Sequence, residues 1–245
     1  MTETPETITA AVLAIGDEIL SGRTRDTNTG YIATFLTNLG IDLKEARTVA
    51  DDEEAIVEAV NALRSRYTYV FTTGGIGPTH DDITADAMAR AFGVGIDHDP
   101  RAVAMLKERF PDTELTEGRM RMARIPDGAD LIANKLSKAP GFRLGNVHVM
   151  AGVPSIMQAM MDEIAPTLRT GVVMLSESIR ADAKEGDIAV PLRDVQKAFP
   201  EVAIGSYPFS DEKGFNTNVV VRSRDEARLA EAAEAVRVML AELKR

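Results

Sequence analysis

Three short, largely apolar runs most constrain what this chain can fold into, because each runs into glycine at its end, the third as Gly-Val-Pro. They are ITAAVLAIG (Ile8 to Gly16), YTYVFTTGG (Tyr67 to Gly75) and NVHVMAGVP (Asn146 to Pro154). Runs of this length, closed by glycine, predict buried strands with open turns at their C-terminal ends. Helical spacing follows the first run. NTGYIATFLTNLG (Asn28 to Gly40) repeats apolar residues at Ile32, Phe35, Leu36 and Leu39. IDLKEARTVA (Ile41 to Ala50) is the next expected strand. DDEEAIVEAVNALRSR (Asp51 to Arg66) has acids in its first turn and arginines in its last, the order the helix dipole favours. DDITADAMARAFG (Asp81 to Gly93) is a further helix. Such alternation predicts a three-layer α/β/α fold, with helices on both faces of a mostly parallel sheet.

The middle is less regular. DPRAVAMLKERF (Asp99 to Phe110) reads as helix, GRMRMARIP (Gly118 to Pro126) as a second short helix, and LIANKLSKAPGFRLG (Leu131 to Gly145) as loop. PSIMQAMMDEIAPTL (Pro154 to Leu168) is a helix with Pro154 in its first turn and Met157, Met160 and Met161 on a core face. After about Thr170 the order becomes strand, helix, strand, strand, helix. Two domains follow from this reading: residues 1–170, and a small α+β subdomain over 171–245.

Charge narrows the function. The 245 residues carry 28 basic and 38 acidic side chains, a net charge of −10, with no basic block. Nonspecific nucleic-acid binding rests on neutralised phosphates, so no nucleic-acid partner is expected. With no cysteine, disulfides and thiolate metal sites are excluded. The N-terminal segment lacks the basic start of a leader, and no apolar stretch approaches the roughly 20 residues that span a bilayer. A cytoplasmic protein with no membrane partner is expected.

The chemistry concentrates in TTGGIGPTHDDIT (Thr72 to Thr84). In open parallel sheets, ligands bind beyond the C-terminal strand ends, where strand order switches. Glycine lets backbone approach a ligand, so the amides of Gly74, Gly75 and Gly77 are candidates to grip an anion beside a helix N-terminus. The loop is neither a Walker loop nor a dinucleotide fingerprint. Its plainer reading is a tight strand-to-helix connection with Asp82 as cap. Asp17 and Glu18 follow the first strand, and Asp81 and Asp82 the third. Carboxylates beside a phosphate site point to a divalent cation, and Asp17, Glu18 and Asp82 are its candidate ligands. A solvated turn for Asp17 and Glu18, and helix capping for Asp52 and Glu53, are the alternatives. Thr73, Thr79 and Asn28 are candidate polar contacts. His80 sits within the loop, while His98 and His148 read as exposed or structural.

TTGGIGPTHDDIT resembles the signature loop of the molybdopterin-binding domain of molybdenum-cofactor biosynthesis proteins. Together with GDEILSG, DTN and AGVP, it is similar to the N-terminal region of the competence/damage-inducible protein A family. The same region resembles the N-terminal half of two-domain FAD synthases, and GSYPF followed by TNVVVRSRD is similar to their small domain. The resemblance implies an often oligomeric fold, so a homo-oligomer is expected. It also implies a small-molecule partner, a nucleotide or a pterin phosphate. In the molybdenum branch two aspartates, aligned with Asp52 and Asp82, assist magnesium-dependent adenylyl transfer. The competence branch implies pyrophosphate hydrolysis of ADP-ribose-type substrates with magnesium, manganese or cobalt, and the FAD synthase relatives imply FAD as substrate. Competence proteins continue into an amidase domain. The sequence stops at Arg245, before such a domain would begin, so deamidation is not expected. Adenylyl transfer to molybdopterin, and binding without turnover, remain as alternatives.

Overall fold

The computed structural model describes residues 7–243 apart from residue 213. The first residues of the segment read as lacking a leader, and Arg245, lie outside the described residues. By contacts the chain divides into two units, the first ending at Gly171 and the second beginning at Val172.

The first unit opens with β1 (Thr9–Ile15), a short α1 (Asp17–Leu20), α2 (Asn28–Asn38), β2 (Asp42–Val49), α3 (Glu53–Arg64), β3 (Tyr69–Thr73) and α4 (Thr84–Phe92). It continues through β4 (Ile96–His98), α5 (Pro100–Arg109), α6 (Glu117–Arg121), β5 (Arg124–Pro126), β6 (Asp130–Ile132), β7 (Gly141–Leu144), β8 (Val147–Met150) and α7 (Pro154–Ile164). The main sheet has the order β2-β1-β3-β8-β7-β6. Its first four strands are parallel, with Leu13 opposite Arg47 on one side and Thr72 on the other. β7 and β6 add an antiparallel edge. The predicted α/β/α class therefore holds.

β1 shows why the sheet needs helices on both faces. Ala11, Leu13 and Ile15 pack toward Ile56, Val60 and Leu63 of α3 and Met88 of α4. Ala10 and Val12 pack the other way, toward Ile32 and Leu36 of α2 and the methionines of α7. A strand buried on both faces reads as an unbroken apolar run, as β1 does. Met157, Met160 and Met161 are fully buried, as their spacing predicts. Each such side chain contributes about 1.5–3 kcal/mol through removal from water.

Two expectations for the middle are corrected. The stretch from Leu131 to Gly145 is not loop throughout, because it contributes to β6 and supplies β7. Gly141 permits the close pairing there, since a Cβ on it would lie 2.3 Å from the Val149 carbonyl oxygen. GRMRMARIP is helix only to Arg121; it then turns into β5, which pairs with β4.

His148 lies inside the sheet, between Phe71 and Arg143. It is 2% exposed and stacks on Phe71 with ring centroids 5.1 Å apart. Burial first, and the Arg143 charge second, lower its pKa from 6.5 to about 4. The folded protein thus binds the proton more weakly than the unfolded chain. Stability is full above about 6.5, falls as pH drops toward 4, and levels off below that. The loss amounts to about 3 kcal/mol. His148→Phe is expected to remove that part of the acid sensitivity, checked by thermal melts at pH 7, 5.5 and 4. An unchanged pH dependence would show that His148 is not its source.

The second unit comprises β9 (Leu175–Arg180), α8 (Glu185–Ala198), β10 (Ala203–Asp211), β11 (Gly214–Ser223) and α9 (Glu226–Leu243). Its antiparallel sheet has the order β10-β11-β9. Val219 and Val221 of β11 join Ile188 of α8 and Val236 of α9 in a separate core. Among the described residues, no helix is long and apolar enough to cross a membrane.

Candidate functional site

β1 and β3 are neighbours, yet the connections leave them toward opposite edges of the sheet: β2 lies beyond β1, and β8 beyond β3. This is a switch in strand order, and it leaves a crevice at the C-terminal strand ends. Gly16, Gly74 and Gly152 follow the three strands that meet there.

The glycines are dictated by close approach. Gly74 has φ 107°, and a Cβ would lie 2.1 Å from the Ile15 carbonyl oxygen. Gly75 has φ 65°, and a Cβ would lie 2.1 Å from the Thr84 hydroxyl. That hydroxyl is fully buried and donates to the Gly74 carbonyl at 3.0 Å, while the Thr84 amide donates to the Gly75 carbonyl. The start of α4 is thereby fastened to the loop.

Asp82 holds the rest of the turn. Its Oδ1 accepts from the Gly77 amide at 2.6 Å. Its Oδ2 accepts from the Thr79 amide at 2.8 Å and the Thr79 hydroxyl at 2.6 Å. Asp82 thus secures the residues before it and does not cap α4, whose N-cap residue is Ile83. Two of the three amides expected to face a ligand are committed within the fold. Gly74 donates to the Met150 carbonyl at 3.1 Å, and Gly77 to Asp82. The amides of Gly75 and Ile76 have no acceptor among the described residues.

Above the loop lies a cavity of about 540 Å³, the size of a small-molecule site. Glu18, Gly74, Gly75, Gly77 and Asp82 line it. Thr73, Thr79, Asn28, Asp17 and Asp52 do not. Thr73 is buried at the end of β3, and Thr79 serves Asp82. Asn28 donates through Nδ2 to the Gly152 carbonyl at 2.8 Å and so ties α2 to the loop after β8. Asp52 caps α3, accepting from the Ala55 amide at 2.9 Å.

Sequence reasoning missed the far wall. Arg109, Phe110 and Met122 come from α5 and the α6 region, and Ser137 from the stretch between β6 and β7. Arg109 is exposed and has no acidic partner among the described residues. The Arg119 guanidinium sits 3.7 Å from the centre of the Phe110 ring. Arg121 donates to the Asp82 carbonyl at 3.1 Å, and Arg124 grips Asp86 of α4 through two bonds. The irregular middle thus clamps the loop and closes the pocket. An arginine and a phenylalanine at a helix end carry no local signal of that role.

Asp51, the neighbour of the expected Asp52, faces the first turn. It accepts from the Asp17 amide at 3.0 Å. Burial raises its pKa; the Asp17 amide opposes this, and the charges of Asp17, Glu18 and Asp81 reinforce it. Acids from three loops therefore crowd one region. Among the described residues, no three His, Asp or Glu side chains converge as ready metal ligands. The expected set of Asp17, Glu18 and Asp82 is not assembled, because both Asp82 oxygens hold loop donors. Asp17, Glu18 and Asp81 lie near enough for their charges to act on Asp51, but as placed these carboxylates do not make a metal site either.

Known proteins resemble both units. Residues 11–170 match the model described as the probable molybdopterin binding domain. Residues 173–244 match the middle domain of FAD synthase. A protein of Aeropyrum pernix is 35% identical over 92% of this chain and 87% of its own length. A probable FAD synthase of Caenorhabditis briggsae is 34% identical over 96% of this chain, which spans only 49% of that protein. Among solved structures, the protein CinA with unknown function from Thermoplasma acidophilum aligns with TM-score 0.62 and 34% identity, covering 66% of this chain and 98% of its own. With the glycine loop at the switch point and a family match over most of its length, the chain belongs to the probable molybdopterin-binding domain family.

Proposed function

We propose that this protein is a divalent-metal-dependent pyrophosphatase of dinucleotides of the ADP-ribose or FAD type. The observation that carries the reading is the cavity of about 540 Å³ floored by the glycine loop. Its lining includes Gly75 and Ile76, whose open amides suit phosphate oxygens. The lining also includes Arg109, which has no acidic partner among the described residues, and Phe110, over whose ring the Arg119 guanidinium lies. The match to the FAD synthase middle domain supports a nucleotide ligand.

Asp17, Glu18, Asp51 and Asp81 would have to draw together to hold the cation. When bound, it supplies charge neutralisation on the phosphates and a more acidic water. The residues themselves do the positioning. The Gly75 and Ile76 amides fix the diphosphate, and Asp82 keeps those amides in place. Water adds to one phosphorus, and the bridging oxygen leaves on the other phosphate with the bonding electrons, giving two phosphomonoesters. Arg109 stabilises charge on the leaving phosphate.

The test is a panel of ADP-ribose, FAD, NAD and ATP against magnesium, manganese, cobalt and chelator, read as monophosphate release. Turnover of ADP-ribose or FAD is expected with cation and not with chelator. Equal turnover in both removes the mechanism. Tight calorimetric binding without product over hours establishes a binding module instead. An adenylylated pterin formed from molybdopterin and ATP establishes an adenylyltransferase. Neither the cavity nor the loop favours these two rivals over hydrolysis, and Arg109 lining the same cavity as the open amides suits a ligand with phosphate groups.

A further inference from the structure

We infer that the Ser137 hydroxyl is a specificity-determining group of the cavity over the glycine loop, a fixed donor that takes a hydrogen-bond acceptor on the ligand and refuses a donor. The inference rests on that cavity being the nucleotide site, and it names what the ligand must present to the stretch between β6 and β7. Asn134, Ser137 and Ala139 of that stretch all line the cavity.

Asn134 sets the polarity. It is 1% exposed, and its Oδ1 accepts from the backbone amides of Leu136 at 3.0 Å and Ser137 at 3.2 Å. A backbone N–H can only donate, so these two bonds fix which end of the side-chain amide is oxygen. The nitrogen end is left for the other partners: Nδ2 donates to Ser137 Oγ at 2.5 Å and to the Ala139 carbonyl at 3.1 Å. The Ala139 amide also donates to Ser137 Oγ, at 3.3 Å.

A hydroxyl oxygen has two lone pairs and one proton. Donors from its own loop take both lone pairs of Ser137. Its proton has no acceptor among the described residues. The O–H bond must then point away from those two donors, and Ser137 is half-buried against the cavity. An acceptor on the ligand meets a proton there, whereas an N–H or O–H meets an oxygen with no lone pair to give. The loop is held in this state from two sides. The Lys138 amide donates to the Asn134 carbonyl at 3.0 Å, and Lys138 Nζ pairs with Glu108 of α5 at 3.0 Å. A donor fixed beforehand loses little freedom when the ligand arrives.

The test titrates ADP-ribose, FAD and inorganic pyrophosphate by calorimetry into the parent protein, Ser137→Ala and Ser137→Thr. Ser137→Ala is expected to weaken nucleotide binding about 3–10-fold, the scale of one neutral hydrogen bond, while Ser137→Thr keeps the hydroxyl and stays within about twofold of the parent. A loss that extends to pyrophosphate puts the acceptor on a phosphate; a loss with the nucleotides alone puts it on the nucleoside part. In turnover, Ser137→Ala should raise KM and leave kcat unchanged, as for a contact made equally in ground and transition states. Parent affinity kept by Ser137→Ala, or the same loss in both variants, overturns the inference and leaves the hydrolytic reading standing. The expected binding pattern without product overturns hydrolysis and leaves Ser137 in its role. A parent protein that binds neither nucleotide overturns both.

Discussion

Gly75→Ala is expected to lower the melting temperature by roughly 5–15 °C and to abolish ligand binding over the loop, on the usual 2–4 °C per kcal/mol for a domain of this size. Two costs add. An alanine at φ 65° sits in the left-handed region, at about 1–2 kcal/mol. Its Cβ also meets the Thr84 hydroxyl at 2.1 Å. That hydroxyl cannot swing aside freely, because it is buried and bonded to the Gly74 carbonyl. Breaking the bond costs about 1–3 kcal/mol more. Relief comes only by moving the loop away from α4, which takes the Gly75 and Ile76 amides with it. Gly30→Ala is the control. Gly30 lies in α2, and a methyl added there would meet nothing within 4 Å, so alanine should be neutral or stabilising by up to about 1 kcal/mol. Melts and calorimetric titration with ADP-ribose read both variants. A Gly75→Ala protein that melts with the parent and still binds would mean that the loop's conformation does not matter to the ligand.

What the sequence disclosed depended on how far each signal reaches. β1, β3 and β8 were legible because burial on both faces leaves an apolar run, and because glycine must follow where strands crowd together. β6 and β7 show no period because three or four residues are too few, and Leu131 to Gly145 also contains the Pro140-Gly141 pair, which reads as a turn in sequence although Gly141 opens β7. At the site, the glycines were legible for a local reason: a backbone that turns sharply at a strand end needs them. The allocation of their amides was not. Whether Gly74 serves a ligand or the Met150 carbonyl depends on β8, some 75 residues away in the chain. Asp51 and Asp52 are indistinguishable as letters. Only the direction of the turn into α3 decides that Asp52 caps the helix while Asp51 meets the Asp17 amide. Arg109 and Phe110 were invisible because their role is set by where α5 ends.

Asp82→Ala is expected to reduce turnover by at least about 100-fold, the scale on which one misplaced group for phosphate or oxyanion binding is felt. The structure gives Asp82 a positioning role. Its carboxylate gathers three donors, the Gly77 amide, the Thr79 amide and the Thr79 hydroxyl, and so shapes the turn that presents the neighbouring amides. Because the loop is partly solvated, water replaces the lost acceptors, and the stability loss should be modest, about 1–3 kcal/mol. Asp82→Asn separates positioning from metal ligation. Its single carbonyl oxygen still accepts from Gly77, but its amide nitrogen faces the Thr79 N–H, donor against donor. A positioning residue predicts graded damage: Asn intermediate, Ala worst, KM raised in both, and the cation concentration for half-maximal activity unchanged. A metal ligand predicts equal damage from both variants and partial rescue by excess manganese. Titrating cation against both proteins decides between the two. Rescue by manganese would return Asp82 to the cation site, and would require the loop to release that carboxylate when substrate binds.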